Sequence, residues 1–394
     1  MAIIANKKIG VSMVKKEVAI LDLGSSKVTV LIAERGVNGT FNIKGTGEVE
    51  YAGYYEGEFL EPDKVKMAVG LAINNAETTA RTRVTKLYVG VPGEFTTVVC
   101  REAVVNFAKR KKINEDDINQ LFFVGNIYKN HPTHTVINNT PIYFTLDDSR
   151  RIIEPRGLYS SRLGGYVSYT LAETNFLDFI ESVLNDLGIR ESQYISSTLA
   201  ESLFLFEPEI RDRYALLVDC GHISTSVMLV RGDGLLFQNS FSMGGGHITG
   251  DLSQCLKITF YQAESLKRKI VLSLLADDSD YYEIAGKDYM IPFSAKTANE
   301  IVSERIDLIA SFILKCFSRC EYDFPEYIPV YLTGGGLCYI RGARDYLSKK
   351  LGRKVEIIAP PIPQLNRPHF STSLGVLDIA LDLENGLANT FLSN

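Results

Sequence analysis

A chain of 394 residues with 45% apolar residues is long enough for roughly two to four structural units around a sizeable core. The formal net charge of −5, with no long basic stripe, argues against nucleic acid as the main partner. Six scattered cysteines without zinc spacing suit a reducing cytoplasm, and neither a signal peptide nor a run of about 18 apolar residues is read.

Residues 1–16 carry four lysines and no sustained apolar face, and read as a lead-in. Strands are expected at 18–23, 27–34 and 41–50, and a helix at 63–82 with Val65, Val69, Ala72, Ile73 and Ala76 on one face. A strand at 87–91 stops at Pro92-Gly93. The texture then changes up to residue 170. A strand at 95–107 runs into Lys109-Arg110-Lys111-Lys112, read as a solvated turn or a partner-docking patch. Asn114-Glu115-Asp116-Asp117 opens a helix, and strands at 133–145 and 165–171 flank a charged loop. This block reads as a small inserted α+β domain.

A helix at 177–187 follows, then a segment at 194–206 that begins as a strand and ends as an apolar helix. The second half opens with a strand at 214–218, the turn Asp219-Cys220-Gly221-His222-Ile223-Ser224, and a strand at 225–230. The same pattern stands about half the chain earlier, as Asp22-Leu23-Gly24-Ser25-Ser26-Lys27. Two such β-turn-β units point to a duplicated domain with a cleft between the copies. A strand ending in Asp-x-Gly lets backbone approach a ligand, and the N–H groups and hydroxyls of its turn make an anion-binding concavity. The aspartate repels phosphate unless a divalent cation intervenes, so two facing turns fit a clamped metal–polyphosphate. Two ordinary hairpins with polar tips are the alternative.

After a strand at 235–242, Gly244-Gly245-Gly246 open a helix whose N-terminus is either an anion site or a flexible loop. On the helix 260–269, Glu264 and Lys267 are spaced to pair on the surface or to reach a ribose or base. Residues 272–294 are acidic and less regular, and a long helix spans about 297–321, with Cys316 and Cys320 one turn apart as a packing pair. A strand then leads into Thr333-Gly334-Gly335-Gly336, whose backbone can lie flat against a planar ligand. A helix at 343–351, a strand at 354–358 and a last helix from Ser371 complete the chain. His131, His134 and His369 have no Glu or Cys at ligand spacing and are treated as structural, and no Ser-His-Asp or Cys-His arrangement is legible.

In this order the turns resemble the motifs of the sugar kinase/Hsp70/actin superfamily. Asp22-Leu23-Gly24-Ser25 is similar to its first phosphate motif, Asp219-Cys220-Gly221 to its second and Thr333-Gly334-Gly335-Gly336 to its adenosine motif. Four further segments resemble the bacterial FtsA family: Pro155-Arg156-Gly157-Leu158-Tyr159-Ser160-Ser161-Arg162, Met243-Gly244-Gly245-Gly246-His247-Ile248-Thr249-Gly250-Asp251, Gln262-Ala263-Glu264-Ser265-Leu266-Lys267 and Ser371-Thr372-Ser373-Leu374-Gly375. The insertion falls where that family carries its own small domain.

The resemblance implies an α/β chain with a duplicated actin-like (ribonuclease H-like) two-lobed fold and a nucleotide cleft. Its expected units are a first lobe at 17–90, returning at 171–206 and 370–394, an insertion at 91–170, and a second lobe at 207–369 with a subdomain near 250–315. It also implies ATP as ligand, with Mg²⁺ held through water by Asp22 and Asp219. Gly24, Ser25, Ser26, Lys27, Gly221, His222, Ser224 and Thr225 would line the phosphates. Gly245, Gly246, Glu264 and Lys267 would approach the ribose and base, and Gly334, Gly335 and Gly336 would flank the adenine. The implied role is a cytoplasmic filament former at the division site that links the tubulin-like FtsZ to the membrane and to later division proteins.

Three departures qualify these expectations. His222 and Ile223 replace two glycines of the second phosphate turn. Ile195-Ser196 stand where actin-like ATPases place a water-positioning Glu or Gln, so hydrolysis is expected to be slow or absent. No Lys or Arg follows Arg367, so a basic membrane-binding helix is missing from this sequence and its contribution of roughly 1 kcal/mol per cation is lost. Either the sequence stops short of that helix, or membrane contact comes through partners. The rival readings are an actin-like adaptor or degenerate paralogue that binds no nucleotide, and a small-molecule kinase of the same superfamily.

Overall fold

A computed structural model describes residues 16–52, 54–55, 57–273, 276–286 and 289–386. Residues 1–15 of the expected lead-in and 387–394 of the tail lie outside the described residues.

The first sheet starts with β1 (Glu17–Leu23), an almost uninterrupted apolar run buried on both faces. It turns into the antiparallel β2 (Lys27–Arg35), and β3 (Phe41–Glu50) alternates buried and exposed residues as an edge strand should. After the short pair β4 (Tyr54–Tyr55) and β5 (Glu58–Phe59), α1 (Pro62–Ala80) opens with proline in its first turn. It buries Val65, Val69, Ala72, Ile73 and Ala76, the expected face, against the sheet. The strand β6 (Lys86–Val91) lies parallel to β1 on its other side.

The chain then leaves this sheet for a second, smaller one. It comprises β7 (Thr96–Lys112), α2 (Glu115–Gly125), β8 (His134–Thr145), β9 (Arg151–Ile152) and β10 (Tyr159–Glu173), with strand order β7-β10-β8-β9. The helix start is a capping box: Asn114 accepts from the Asp117 N–H, and the Asp117 carboxylate accepts from the Asn114 N–H. Such a box contributes about 1 kcal/mol. The run Lys109-Arg110-Lys111-Lys112, expected as a turn, is instead the end of β7, because the long β10 offers Tyr159 and Ser160 as ladder partners to Lys112 and Lys111. β7 is a sheet edge, and lysines there discourage pairing with another chain.

The chain returns through α3 (Thr174–Asp186) and β11 (Glu191–Ser196), which is parallel to β6, and continues as α4 (Ser197–Leu205). The first sheet therefore has the order β11-β6-β1-β2-β3. The insertion is tied to it where Asn138 accepts from the Ser196 N–H at 2.7 Å.

After the short α5 (Pro208–Arg211), the topology repeats with β12 (Ala215–Cys220), β13 (Thr225–Arg231) and β14 (Gly234–Phe241). The helices α6 (Gly245–Leu256) and α7 (Phe260–Lys267) follow. The stretch expected to be irregular contains a hairpin of β15 (Tyr281–Ala285) and β16 (Met290–Ser294) that leads into α8 (Ala295–Arg319). Then come β17 (Val330–Thr333), α9 (Ala343–Leu351), β18 (Val355–Ile357) and α10 (Ser371–Glu384). The sheet order is β14-β13-β12-β17-β18. Both large sheets place their first strand in the centre, antiparallel to the second and parallel to the fourth.

The insertion and the last helix are among the connections between the halves. The insertion leans on β14, with the Ser168 hydroxyl donating to the Leu235 carbonyl at 2.7 Å and the Tyr166 and Tyr322 hydroxyls 2.6 Å apart. The last helix, α10, buries Leu374, Val376, Leu377 and Ala380 with Val18, Ile20 and Tyr88 of the first sheet, so the chain crosses the cleft on its way there.

Candidate functional site

The two aspartates occupy matched positions. Asp22 pairs with Thr29 of β2 and Gly90 of β6, and Asp219 pairs with Ser226 of β13 and Thr333 of β17. Each thus sits at the carboxyl end of a central strand, where open α/β sheets bind ligands. Between the two ends lies a cavity of about 710 Å³. That is within the ordinary size range of small-molecule sites.

The two turns are built alike. Gly24 N–H donates to the Lys27 carbonyl at 3.0 Å, and Gly221 N–H to the Ser224 carbonyl at 2.8 Å. They meet directly: the Ile223 N–H donates to the Ser25 hydroxyl at 3.1 Å across the cleft. The Ile223 side chain packs against the apolar cluster of the first sheet, so this residue joins the two halves.

Most of the residues singled out in the sequence line the cavity: Asp22, Gly24, Ser25, Ser26, Lys27, Asp219, Gly221, His222, Ser224, Gly245, Glu264, Lys267, Gly334, Gly335 and Gly336. Thr225 and Gly246 do not. Thr225 is fully buried, and its hydroxyl donates to the Met243 carbonyl at 2.6 Å beneath the turn. Side chains alternate along β13, so Ser226 faces the cleft in its place. Gly246 is covered by the His222 ring, whose Nε2 would lie 2.6 Å from a Cβ at that position.

The start of α6 is not the free anion site that three glycines suggest. Gly245 N–H donates to the Gly221 carbonyl at 2.9 Å, Gly246 N–H to the His222 carbonyl at 2.6 Å, and Gly244 N–H to His247 Nδ1 at 3.1 Å. The helix-end donors are spent on the second turn. Lys267 is likewise engaged. It is 5% exposed rather than on the surface, and its ammonium reaches Gly245 O at 3.0 Å, Thr249 Oγ1 at 2.8 Å and Glu264 Oε2 at 2.6 Å. Three donors with three partners make it an anchor for α6.

The glycine turns pack on one another. A Cβ on Gly245 would come within 2.6 Å of Gly336 Cα, one on Gly336 within 2.4 Å of the Gly221 carbonyl, and one on Gly334 within 2.2 Å of Asp219 Oδ1. Gly335 alone of the three in its turn has room, with His369 Cβ at 3.5 Å.

The electrostatics are dominated by carboxylates. Burial, opposed by Lys27 and reinforced by Glu48, pushes Asp22 up to about 6. Burial, then the charges of Asp22 and Glu94, push Asp219 up to about 7. Glu201, 1% exposed, is held well above the usual range by burial, then by Asp219 and Asp22. Such a set favours a cation, since one charge relieves every repulsion. Among the described residues no group of three or more His, Cys, Asp or Glu side chains is arranged to hold a metal ion directly. An oxygen-only set with space for water suits Mg²⁺, which dehydrates reluctantly. Burial, then Lys267, lowers His222, which keeps its ring neutral against Phe260.

Sequence reasoning missed several lining residues: Glu94, Ser226, Tyr339, Arg341, Arg367 and His369. His369 is no remote structural histidine, because its Nδ1 pairs with the Tyr339 hydroxyl at 2.5 Å beside Gly335. Glu94 carries no local sequence signal; the matched registers of β6 and β17 bring the loop that begins at Val91 to the position equivalent to the Gly334-Gly335-Gly336 loop.

Residues 216–375 match the family model described as cell division protein FtsA, and residues 93–170 match that of the SHS2 domain inserted in FtsA. The chain belongs to the FtsA family. The cell division protein FtsA of Enterococcus hirae is 23% identical over 369 residues, which are 92% of this chain and 83% of that protein. That of Streptococcus pneumoniae is 25% identical over 365 residues, 91% and 79% respectively. That of Neisseria meningitidis is 24% identical over 390 residues, 95% and 92%. Among solved structures, a PilM–PilN type IV pilus biogenesis complex is similar with a TM-score of 0.61 at 17% identity, covering 93% of this chain and 99% of that one. MreB5 of Spiroplasma citri bound to AMPPNP is similar with a TM-score of 0.55 at 11% identity, covering 94% and 99%. The fold is thus actin-like with the FtsA family's SHS2 insertion, and no helix among the described residues is long and apolar enough to cross a membrane.

Proposed function

We propose that this FtsA-family chain binds Mg-ATP in the cleft, assembles into actin-like filaments and links FtsZ to the division machinery at the inner face of the membrane. Asp22 and Asp219 hold the Mg²⁺ through water, and the turns at Gly24–Lys27 and Gly221–Ser224 take the phosphates. Gly334, Gly335 and Gly336 flank the base, with Tyr339 and His369 beside them. The observation that carries this reading is the pair of matched aspartates on facing turns, joined by the Ser25–Ile223 hydrogen bond. A bound terminal phosphate sits where it engages both turns, so triphosphate and diphosphate states close the halves differently. That difference is what a filament reads.

A second reading is favoured by one observation. The Ile223 latch holds the halves together without a ligand, and the N–H groups of α6 are already spent within the second half, as a nucleotide-free scaffold would require. Sedimentation tests the first reading. The chain is expected to pellet with Mg-ATP and to carry FtsZ of the same organism into the pellet at micromolar concentration. No FtsZ recovery at that concentration contradicts it.

A further inference from the structure

We infer that Glu94 orients, and takes the proton from, the water that attacks the terminal phosphate of a nucleoside triphosphate held between the two turns. The inference rests on the Mg-ATP reading above. Its ground is position. Glu94 follows Gly93 in the loop beyond β6 and lines the cavity. Its carboxylate accepts from the Tyr54 hydroxyl at 2.7 Å and lies beside the side chain of Ser224, the last polar residue of the second phosphate turn. It therefore stands beside the second phosphate turn, close enough for its charge to act on Asp219.

The residue is held firmly. Gln238 Nε2 donates to the Gly93 carbonyl at 2.6 Å, Phe95 N–H to the Pro92 carbonyl at 3.1 Å, and the Phe95 ring stacks on Phe176 at 4.2 Å. A general base works when its position is fixed by such neighbours. Burial raises the Glu94 carboxyl, opposed by the Tyr54 and Ser224 hydroxyls, which favours proton uptake. Glu201 is the other glutamate buried in the cleft. It faces Asp219, Asp22 and Thr372, and so belongs with the carboxylates around the cation. Ile195-Ser196 leave the usual water-positioning place without an acid, and Glu94 supplies one from the neighbouring loop, since β11 and β6 are adjacent parallel strands with Ser196 opposite Val91.

In the step, the water oxygen bonds to the γ-phosphorus while the bond from that phosphorus to the β,γ-bridging oxygen breaks. The bond's electron pair leaves on ADP, and the water proton passes to the Glu94 carboxylate and then to solvent. ADP and inorganic phosphate result, with no other reactant.

The test compares wild type with E94Q and Y54F. Gln keeps an acceptor for Tyr54 and removes the base and its charge. Single-turnover hydrolysis of Mg-ATP by E94Q is expected to be about 100-fold slower, the low end for a positioned base. Calorimetry supplies a readout independent of turnover. Removing a negative charge beside the γ-phosphate tightens Mg-ATP binding about 10-fold and leaves Mg-ADP binding unchanged. Y54F, which frees the carboxylate without removing it, falls between wild type and E94Q in rate. Wild type that binds Mg-ATP while E94Q hydrolyses it equally fast overturns the Glu94 assignment alone. Equal tightening for ATP and ADP overturns it as well, as does wild type that binds Mg-ATP without hydrolysing it. Wild type that binds no Mg-ATP overturns the underlying reading, and this assignment with it.

Discussion

Asp219→Asn is expected to abolish Mg-ATP binding and to make the ligand-free protein more stable at pH 8. Both effects have one cause. The Asp219 carboxyl is pushed up to about 7 by burial, then by the charges of Asp22 and Glu94. In the unfolded chain it takes its ordinary value of 3.8. Between these values the folded state holds a proton that the unfolded state has released. The group's contribution to stability is full below 3.8 and is lost as the pH rises through about 7. At pH 8 the folded protein therefore carries a buried, ionised carboxylate among others of like charge. Asparagine fills the same space without the charge. The melting temperature should rise by about 3 °C or more at pH 8, and the gain should shrink as the pH falls towards 4. The cation, in contrast, needs the ionised form, and Mg-ATP affinity should weaken on acidification below pH 7. Thermal melts across this range check the first part and calorimetry the second. A melting temperature lowered at pH 8 would mean that Asp219 serves the fold and not a ligand.

Gly336→Ala should be strongly damaging although its backbone conformation tolerates a side chain. Its Cβ would meet the Gly221 carbonyl at 2.4 Å, and the Cys220 carbonyl and Sγ at 2.8 Å. These are mostly backbone atoms of the second phosphate turn, tied to Gly336 by its own N–H bond to Cys220 O at 2.7 Å. No side-chain rotation relieves the clash, so both turns must separate. Overpacking of this kind costs about 3 kcal/mol, and the displaced Asp219 turn should lose its ligand. Gly335→Ala is the internal control, because its Cβ would stand in ordinary contact at 3.5 Å from His369 Cβ. Melting temperature and Mg-ATP affinity measured on both variants should separate them clearly.

The contrast between these glycines marks what was legible in the sequence. Local signals carried far. The apolar runs of β1 and β12, the face of α1 and the capping residues at Asn114 identify their elements, because each depends on neighbours in the chain. The two Asp-x-Gly turns were visible for the same reason, and most of the cavity lining follows from them. What failed depends on contacts between distant segments. Thr225 and Ser226 are adjacent hydroxyls, and only the pairing of β13 decides which one faces the cleft. Gly246 reads as ligand-facing until the His222 carbonyl is seen to take its N–H and the His222 ring to cover it. Glu94 and His369 are unremarkable in sequence and reach the site only because two loops meet there. The lysine run at 109–112 became strand because a distant partner, β10, is long enough to extend it.

The measurement that tests the central claim most directly is a calorimetric titration of the wild-type chain with ATP, with and without Mg²⁺. The account predicts one site per chain, filled only when Mg²⁺ is present, because four buried acids otherwise repel the phosphates. The absence of binding at millimolar Mg-ATP would contradict it. His222 and Ile223 would then have closed the cleft, leaving an actin-like scaffold that works without nucleotide.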